Sequence, residues 1–397
     1  MDTEQYDFNG VTDRKGSSCI KYDSIEGKRE DIIPLWIADM DFKTPDFIVD
    51  AIKQRCRHEI FGYHKISDSY YESIIGWVAD RHGWKIRREW INYIPGIVNG
   101  IGHAIECFTK PGDSIIIQPP VYHPFRLVPQ RMGRKVVYNP LKMENGRYRM
   151  DFKQLEEIMD SSCRILILCN PHNPGGTVWE KETLVRLADL CRQRGILVIS
   201  DEIHSELVYP EYTHHPFASV SEAAASCSIT FMAPSKTFNI AGIISSYSIV
   251  PDERIREKFY SFLQAGEFNN GSIFSYIAAE AAYRSGKAWL DQLLAYLKEN
   301  IRFTDRFLKE RLPRISIYEP QASFLIWLDC RGLELEQEEL VEFFEKEAGL
   351  LLNDGSMFGD EGKGYMRLNI GCPRSVLQKA LTALEKACIK RWGPQRV

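Results

Sequence analysis

The chain has 397 residues, 44% hydrophobic and 26% charged, an ordinary composition for a folded globular protein of more than one domain. Lys and Arg total 50 against 54 Asp and Glu, a net charge of −4 with both signs interspersed, so no basic stripe or acidic tail points to nucleic acid or a membrane surface. The polar, acidic start MDTEQYDFNG is not a secretory signal, and apolar runs such as ILVI (Ile196 to Ile199) are too short to span a bilayer. The ten cysteines are scattered without a CxxC pair, and several, such as Cys169, sit in apolar runs; this usage fits reduced thiols in the cytoplasm.

Along the chain, residues before Thr44 are irregular apart from the apolar patch PLWIADM (Pro34 to Met40). Thr44 followed by Pro45 signals a helix start, with proline in the first helical position. The turn Pro111-Gly112-Asp113 leads into the strand SIIIQ (Ser114 to Gln118), and KVVY (Lys135 to Tyr138) follows. RILILCN (Arg164 to Asn170) precedes a helical stretch from Glu180 to Arg194 that Gly195 caps. The strands ILVISD (Ile196 to Asp201) and SITFM (Ser228 to Met232) come next. These runs are near-continuously apolar and do not alternate, as strands do when helices cover both faces of a parallel sheet. An α/β fold with a mostly parallel central sheet is therefore expected over residues 45–290. Residues 1–44 and 291–397, with short strands such as SFLIWLD (Ser323 to Asp329), are expected to form a smaller α+β domain packed closely against it.

Open α/β sheets bind ligands beyond the carboxyl ends of their strands. Asn173 in NPHNPGG, Asp201 at the end of ILVISD and Lys236 in APSKTFNIAG all fall at such ends. Singly, each has an ordinary reading: a surface lysine, a helix-capping aspartate, a turn. Jointly they match the needs of pyridoxal phosphate, which takes a lysine for its imine and an acid for its pyridine nitrogen. Asn173 can donate to the ring's phenolic oxygen, and Tyr122 in PPVYHPF can stack on its face. Unpaired amides at a helix start after Pro95-Gly96, from Gly96 through Ile97 to Val98, suit the phosphate, with Ser235 adding a hydroxyl. His214 and His215 have no carboxylate or thiolate at metal-ligand spacing, and no zinc site is expected.

The segments WIADMDF, IFGYHK, YIPGIV, IQPPVYHPF, ILCNPHNPGGTVW, SDEIHSEL, APSKTFNIAG and YMRLNIG extend from Trp36 to Gly371. With them the chain resembles the fold-type I pyridoxal-phosphate enzymes of the aminotransferase class I/II superfamily. Within these it is most similar to the MalY/PatB group of cysteine–sulfur β-lyases, the cystathionine β-lyases. The resemblance implies that Lys236 is the Schiff-base lysine, Asp201 the pyridinium partner, Asn173 the phenolic-oxygen donor and Tyr122 the stacking ring. It gives Arg367 in YMRLNIG the substrate carboxylate, a role that suits a planar guanidinium fork, and puts Ala38 in WIADMDF on the substrate side. It implies a homodimer in which Tyr63 of FGYHK reaches the cofactor phosphate of the neighbouring subunit. His204 stands where many relatives have a tyrosine, either touching the cofactor or lying behind the residues that do. The sequence departs from the wider pattern at Ile244, where aminotransferases commonly carry a basic residue for the phosphate. The activity implied is elimination from cystathionine or another S-substituted cysteine, giving a thiol, pyruvate and ammonia. A transaminase would use the same lysine, aspartate, asparagine and arginine, and a third reading is a pyridoxal-phosphate-binding protein that docks on a regulatory partner.

Overall fold

The computed structural model describes residues 5–25 and 31–393; the first four residues of the polar N-terminus lie outside that range. Its main sheet has seven strands, in chain order β1 (Ile91–Ile94), β2 (Ser114–Ile117), β3 (Lys135–Tyr138), β4 (Cys163–Cys169), β5 (Leu197–Asp201), β6 (Ser228–Met232) and β7 (Ser246–Ile249). Their spatial order is β1-β7-β6-β5-β4-β2-β3. The pairs from β3 through β6 are all parallel, and β7 runs antiparallel to both its neighbours. The fold is the expected α/β type with a mostly parallel sheet.

Alternate residues of these strands feed two separate cores. Ile115, Ile117, Ile165, Ile167 and Ile199 join one cluster, while Ile116, Leu166, Leu168 and Val198 join another on the opposite face. Since successive strand side chains point to opposite faces, a strand covered on both sides is apolar on both, as Ile165 to Cys169 (ILILC) is. Helix α1 (Ile97–Phe108) covers the first face, burying Ile97, Gly100, Ile101, Ala104 and Ile105 at helical spacing. Gly100 sets how closely it lies: a Cβ there would come within 2.6 Å of Ile94 Cγ2 and 3.0 Å of Phe231 Cε1. Helix α2 (Lys181–Arg194) covers the second face through Leu184, Leu187, Ala188 and Cys191, and ends at Gly195 with φ 66°.

Helix α3 (Lys287–Arg311) leads into a four-stranded sheet of β8 (Ser316–Ile317), β9 (Leu325–Asp329), β10 (Asn353–Asp354) and β11 (Tyr365–Asn369), ordered β8-β9-β11-β10 and antiparallel throughout. The N-terminal segment joins this region: Ile33–Pro34 pairs in parallel with Leu350–Leu351. One continuous apolar cluster reaches from Phe8 and Leu35 through Trp289 and Leu297 to Leu368 and Leu384.

Local expectations shift by small amounts. The helix after Pro45 begins at Asp46 with Pro45 as its cap residue, and the Thr44 hydroxyl instead donates to the Asn239 carbonyl at 3.1 Å. Strand β9 starts at Leu325, two residues after Ser323, which takes φ 76°. Strands β1 and β7 have no apolar run to betray them; in SYSI the serines are buried, and the Ser248 hydroxyl lies 3.2 Å from the Tyr260 hydroxyl. The ten cysteines are free, seven of them buried. Among the described residues no helix is long and apolar enough to cross a membrane.

Candidate active site

Three neighbouring strands deliver three of the groups. Cys169 at the end of β4 lies in register with Asp201 at the end of β5, and Asp201 with Phe231 of β6. The chain then turns from β4 into the loop that carries Asn173, and from β6 into the one that carries Lys236. A cavity of about 210 Å³ opens there, walled by Lys236, Asp201, Asn173, Tyr122, His204 and Ser235, with Ala38, Ile97 and Val98 completing the wall. Arg367 on β11 reaches the same place from the small sheet: its Nη1 donates to Asn173 Oδ1 at 3.1 Å. Tyr63 is not part of the cavity; it is fully exposed.

Burial sets the electrostatics. The Lys236 amine is lowered to about 8, first by desolvation and then by Arg367, while Asp39 and Asp201 pull the other way. Its Nζ donates to the Ala38 carbonyl at 2.7 Å. Desolvation raises the Asp201 carboxyl to about 7, against the Ile203 N–H that donates to its Oδ1 at 3.1 Å and the charge of Lys236. Both groups thus titrate near neutrality, as groups that transfer or hold protons must. Desolvation, with Lys236 and Arg367 adding to it, lowers His204 to about 3, so its imidazole is neutral. Tyr122 is pushed up by burial and then by Asp201, and remains a phenol.

Arg367 is buried, and desolvation lowers it to about 10, still a cation at neutral pH. Besides Asn173, its Nη2 donates to Asn353 Oδ1 at 2.6 Å and to the Trp36 carbonyl at 3.2 Å. Each of these acceptors is neutral, and among the described residues the buried Nε has no hydrogen-bond partner. A buried guanidinium facing only neutral acceptors has its charge left over for an anionic ligand.

The other end of the cavity suits a second anion. Gly96, with φ 97°, turns the chain into α1, whose first backbone bond runs from Gly100 N to Gly96 O at 2.9 Å. The amides before Gly100 have no acceptor within the helix, and the dipole adds positive potential there. Ser235 and Ser246 border this end, as does Ile244, a branched residue at φ 53° whose carbonyl accepts from the Tyr93 hydroxyl at 2.9 Å. So uncommon a conformation at a cavity wall marks a place where the fold over-determines the backbone. An amine of lowered pKa, a buried carboxyl, an anion cradle at a helix start and an uncompensated guanidinium fit pyridoxal phosphate carrying an amino-acid substrate.

Sequence reasoning missed several contributors. Asn353 lies in LLND, which no motif marks; only the β10–β11 pairing, with Asn353 opposite Arg367, makes it a partner. Ser246 was missed for the same reason, and Asp39, although inside WIADMDF, was not singled out because its action on Lys236 depends on the fold. Cys169 was legible as the last residue of an apolar strand beside Asp201. His214 is engaged with Glu202, its Nε2 2.8 Å from Glu202 Oε2, and neither residue lines the cavity.

Set against known proteins, residues 30–384 match the family model described as aminotransferase class I and II. The chain is 41% identical over 384 residues to the cystathionine beta-lyase PatB of Bacillus subtilis (strain 168), covering 96% of this chain and 99% of that protein. Among solved structures it resembles a putative aminotransferase from Clostridium difficile 630 in its PLP-bound form, with TM-score 0.94, 40% identity, and 96% of this chain and 100% of that one covered. It also resembles cystalysin from Treponema denticola, which contains a pyridoxal 5'-phosphate cofactor, with TM-score 0.95, 34% identity, and coverage of 98% and 100%.

Proposed function

The chain belongs to the aminotransferase class I and II family, and from that premise we infer that it is a pyridoxal-phosphate-dependent carbon–sulfur β-lyase. With one water consumed, it removes the sulfur substituent of cystathionine or a related S-substituted cysteine, giving a thiol, pyruvate and ammonia. The observation that carries the chemistry is the buried Lys236 amine beside the buried Asp201 carboxyl, with Arg367 unpaired by any anion. The full-length likeness to a cystathionine beta-lyase carries the choice of reaction.

Bound pyridoxal phosphate supplies an electron sink for the carbanion formed at the substrate Cα. Asp201, as an anion, holds a proton on the ring nitrogen. Arg367 grips the substrate carboxylate with its fork, and Asn173, hydrogen-bonded to it, orients both ligand and guanidinium. Tyr122 packs against the ring. The Lys236 amine, its pKa near 8, accepts the Cα proton near neutral pH and is ready to return it elsewhere. The α1 amides of Ile97 and Val98 with Ser235 hold the phosphate, and the neutral His204 accepts or donates one hydrogen bond in the cavity without carrying charge.

The wall at Ile244 offers the phosphate no cation, and Tyr63 stands exposed beside Ile60 and Phe61, which are also exposed. We place this apolar segment at the interface of a homodimer, with Tyr63 donating to the phosphate in the neighbouring subunit. The free thiols suit a reducing cytoplasm.

Incubation with L-cystathionine, reading pyruvate and free thiol, tests the assignment directly. A parallel incubation with an amino acid and a keto-acid acceptor tests the transaminase alternative. Amino-group transfer without pyruvate or thiol release would overturn the lyase reading.

A further inference from the structure

Lys236 meets the loop of residues 36–42, and that loop is fixed from behind by charges the chemistry above does not use. Arg14 spans it: its Nη2 donates to Asp39 Oδ2 at 2.7 Å, and its Nη1 to Asp39 Oδ1 at 3.2 Å, the Met40 carbonyl at 3.1 Å and Asp41 Oδ1 at 2.7 Å. Lys21, fully buried, donates to Asp41 Oδ2 at 2.8 Å and to the Asp39 carbonyl at 3.4 Å. Two cations from the N-terminal segment therefore balance two carboxylates of the loop.

Neutral amides add further bonds to the loop's carbonyls. Asn369 donates to those of Ile37 and Asp39 at 2.6 and 2.7 Å, and Asn239 to those of Met40 and Phe42 at 2.8 Å each. Between them the Ala38 carbonyl points the other way and accepts from Lys236 at 2.7 Å. Lys21 and Asp41 are buried and Arg14 and Asp39 partly so; charge taken out of water is costly to assemble unless it is paired, and here the pairing converges on a loop that faces the amine.

We propose that Arg14 and Lys21 are positioning residues for the Lys236 amine: by pinning Asp39 and Asp41 they fix both the Ala38 carbonyl and the Asp39 negative charge against it. This rests on the reading of Lys236 as the proton-transferring amine. The clamp acts through distance and charge balance. Arg14 draws off much of the Asp39 field, and what is left opposes the effect of Arg367 on the amine. The groups that act on Lys236 come from every side: Arg367 on β11, Asp201 at the end of β5, Asp39 on the loop, and His204 after β5, which is neutral.

The test measures the ionisation of Lys236 without turnover. The full chain, stripped of cofactor and shown folded by its thermal transition, is pulse-labelled with acetic anhydride over a neutral-to-alkaline pH series. Mass spectrometry of the Lys236 peptide gives the midpoint at which the amine becomes reactive. Asp39→Asn removes an anion and should lower that midpoint by about one pH unit; Arg14→Gln unmasks the anion and should raise it by about as much. Arg14→Lys should recover most of the wild-type value, and the pH profile of kcat in the loaded enzyme should move in the same directions. Simple loosening of the loop would let water in and raise the midpoint in both variants. A midpoint that rises or stays fixed in Asp39→Asn, or one that stays fixed or falls in Arg14→Gln, therefore overturns the proposal. Should Arg14→Gln not fold, Arg14→Lys, whose single ammonium cannot keep the two-nitrogen grip on Asp39, should show a smaller rise, and a fixed midpoint there overturns it. Because labelling does not depend on catalysis, an error in the role given to Lys236 would show separately, as a midpoint that moves in a chain whose activity survives loss of the amine.

Discussion

Asp201→Asn should make the cofactor-free chain more stable while destroying its activity. The Asp201 carboxyl is raised by burial from 3.8 to about 7. Between those values the folded chain keeps a proton that the unfolded chain has lost, so stability falls as pH rises through the interval and the full cost is present above about 7. Each pH unit of separation is worth about 1.4 kcal/mol, so the interval amounts to up to about 4 kcal/mol. Asparagine has the same shape, keeps an oxygen for the Ile203 N–H and never ionises. Part of the gain is returned, because Lys236 loses an anion that favours its charged form. Urea unfolding of both cofactor-free chains checks the point: the variant should match the wild type at the acid end of the interval and exceed it increasingly toward neutral pH. With cofactor loaded the advantage should shrink, since the carboxylate then has a cationic partner. Turnover should fall on the order of 10²–10³-fold for loss of a preorganised electrostatic group. A stability difference that does not change with pH, or a variant less stable than the wild type at neutral pH, would refute the account of Asp201 as a buried carboxyl waiting for a positive charge.

Borohydride treatment of the cofactor-loaded protein, followed by peptide mapping, should find the pyridoxyl label on Lys236; a label on another lysine would remove the basis of the proposed chemistry. Arg367→Lys should raise KM for the amino-acid substrate roughly tenfold to a hundredfold, because an ammonium cannot serve Asn173, Asn353 and a carboxylate together; unchanged KM would place the substrate carboxylate elsewhere. Inactive Tyr63→Ala and Lys236→Ala chains, mixed and allowed to exchange subunits, should regain activity, since one site of each mixed dimer then carries neither defect. Mixed dimers without activity would confine Tyr63 to its own subunit or exclude it from the site.

The sequence by itself determined the parts of this protein whose residues have no alternative environment. A run such as ILILC, apolar throughout and too short for a helix, reads as a strand covered on both faces, and such strands end at or just before Asn173, Asp201 and Lys236. The glycine at Gly96 likewise marks the helix start that cradles an anion. Its wording also carried the family, and with it Arg367 from a distant segment. What the tertiary structure alone decided is how residues without local pattern meet. Ser246 and Ser248 form a buried strand because they pair with β1 and β6, a partnership that hydrophobic periodicity does not encode. Asn353 becomes a partner of Arg367 only through strand register. Nothing in the local sequence pairs Arg14 and Lys21 with Asp39 and Asp41; the fold brings the two cations against the two carboxylates behind Ala38. Local sequence fixes a residue's preference for water or for a backbone conformation; the pairing of buried charges depends on distances that only the complete fold sets.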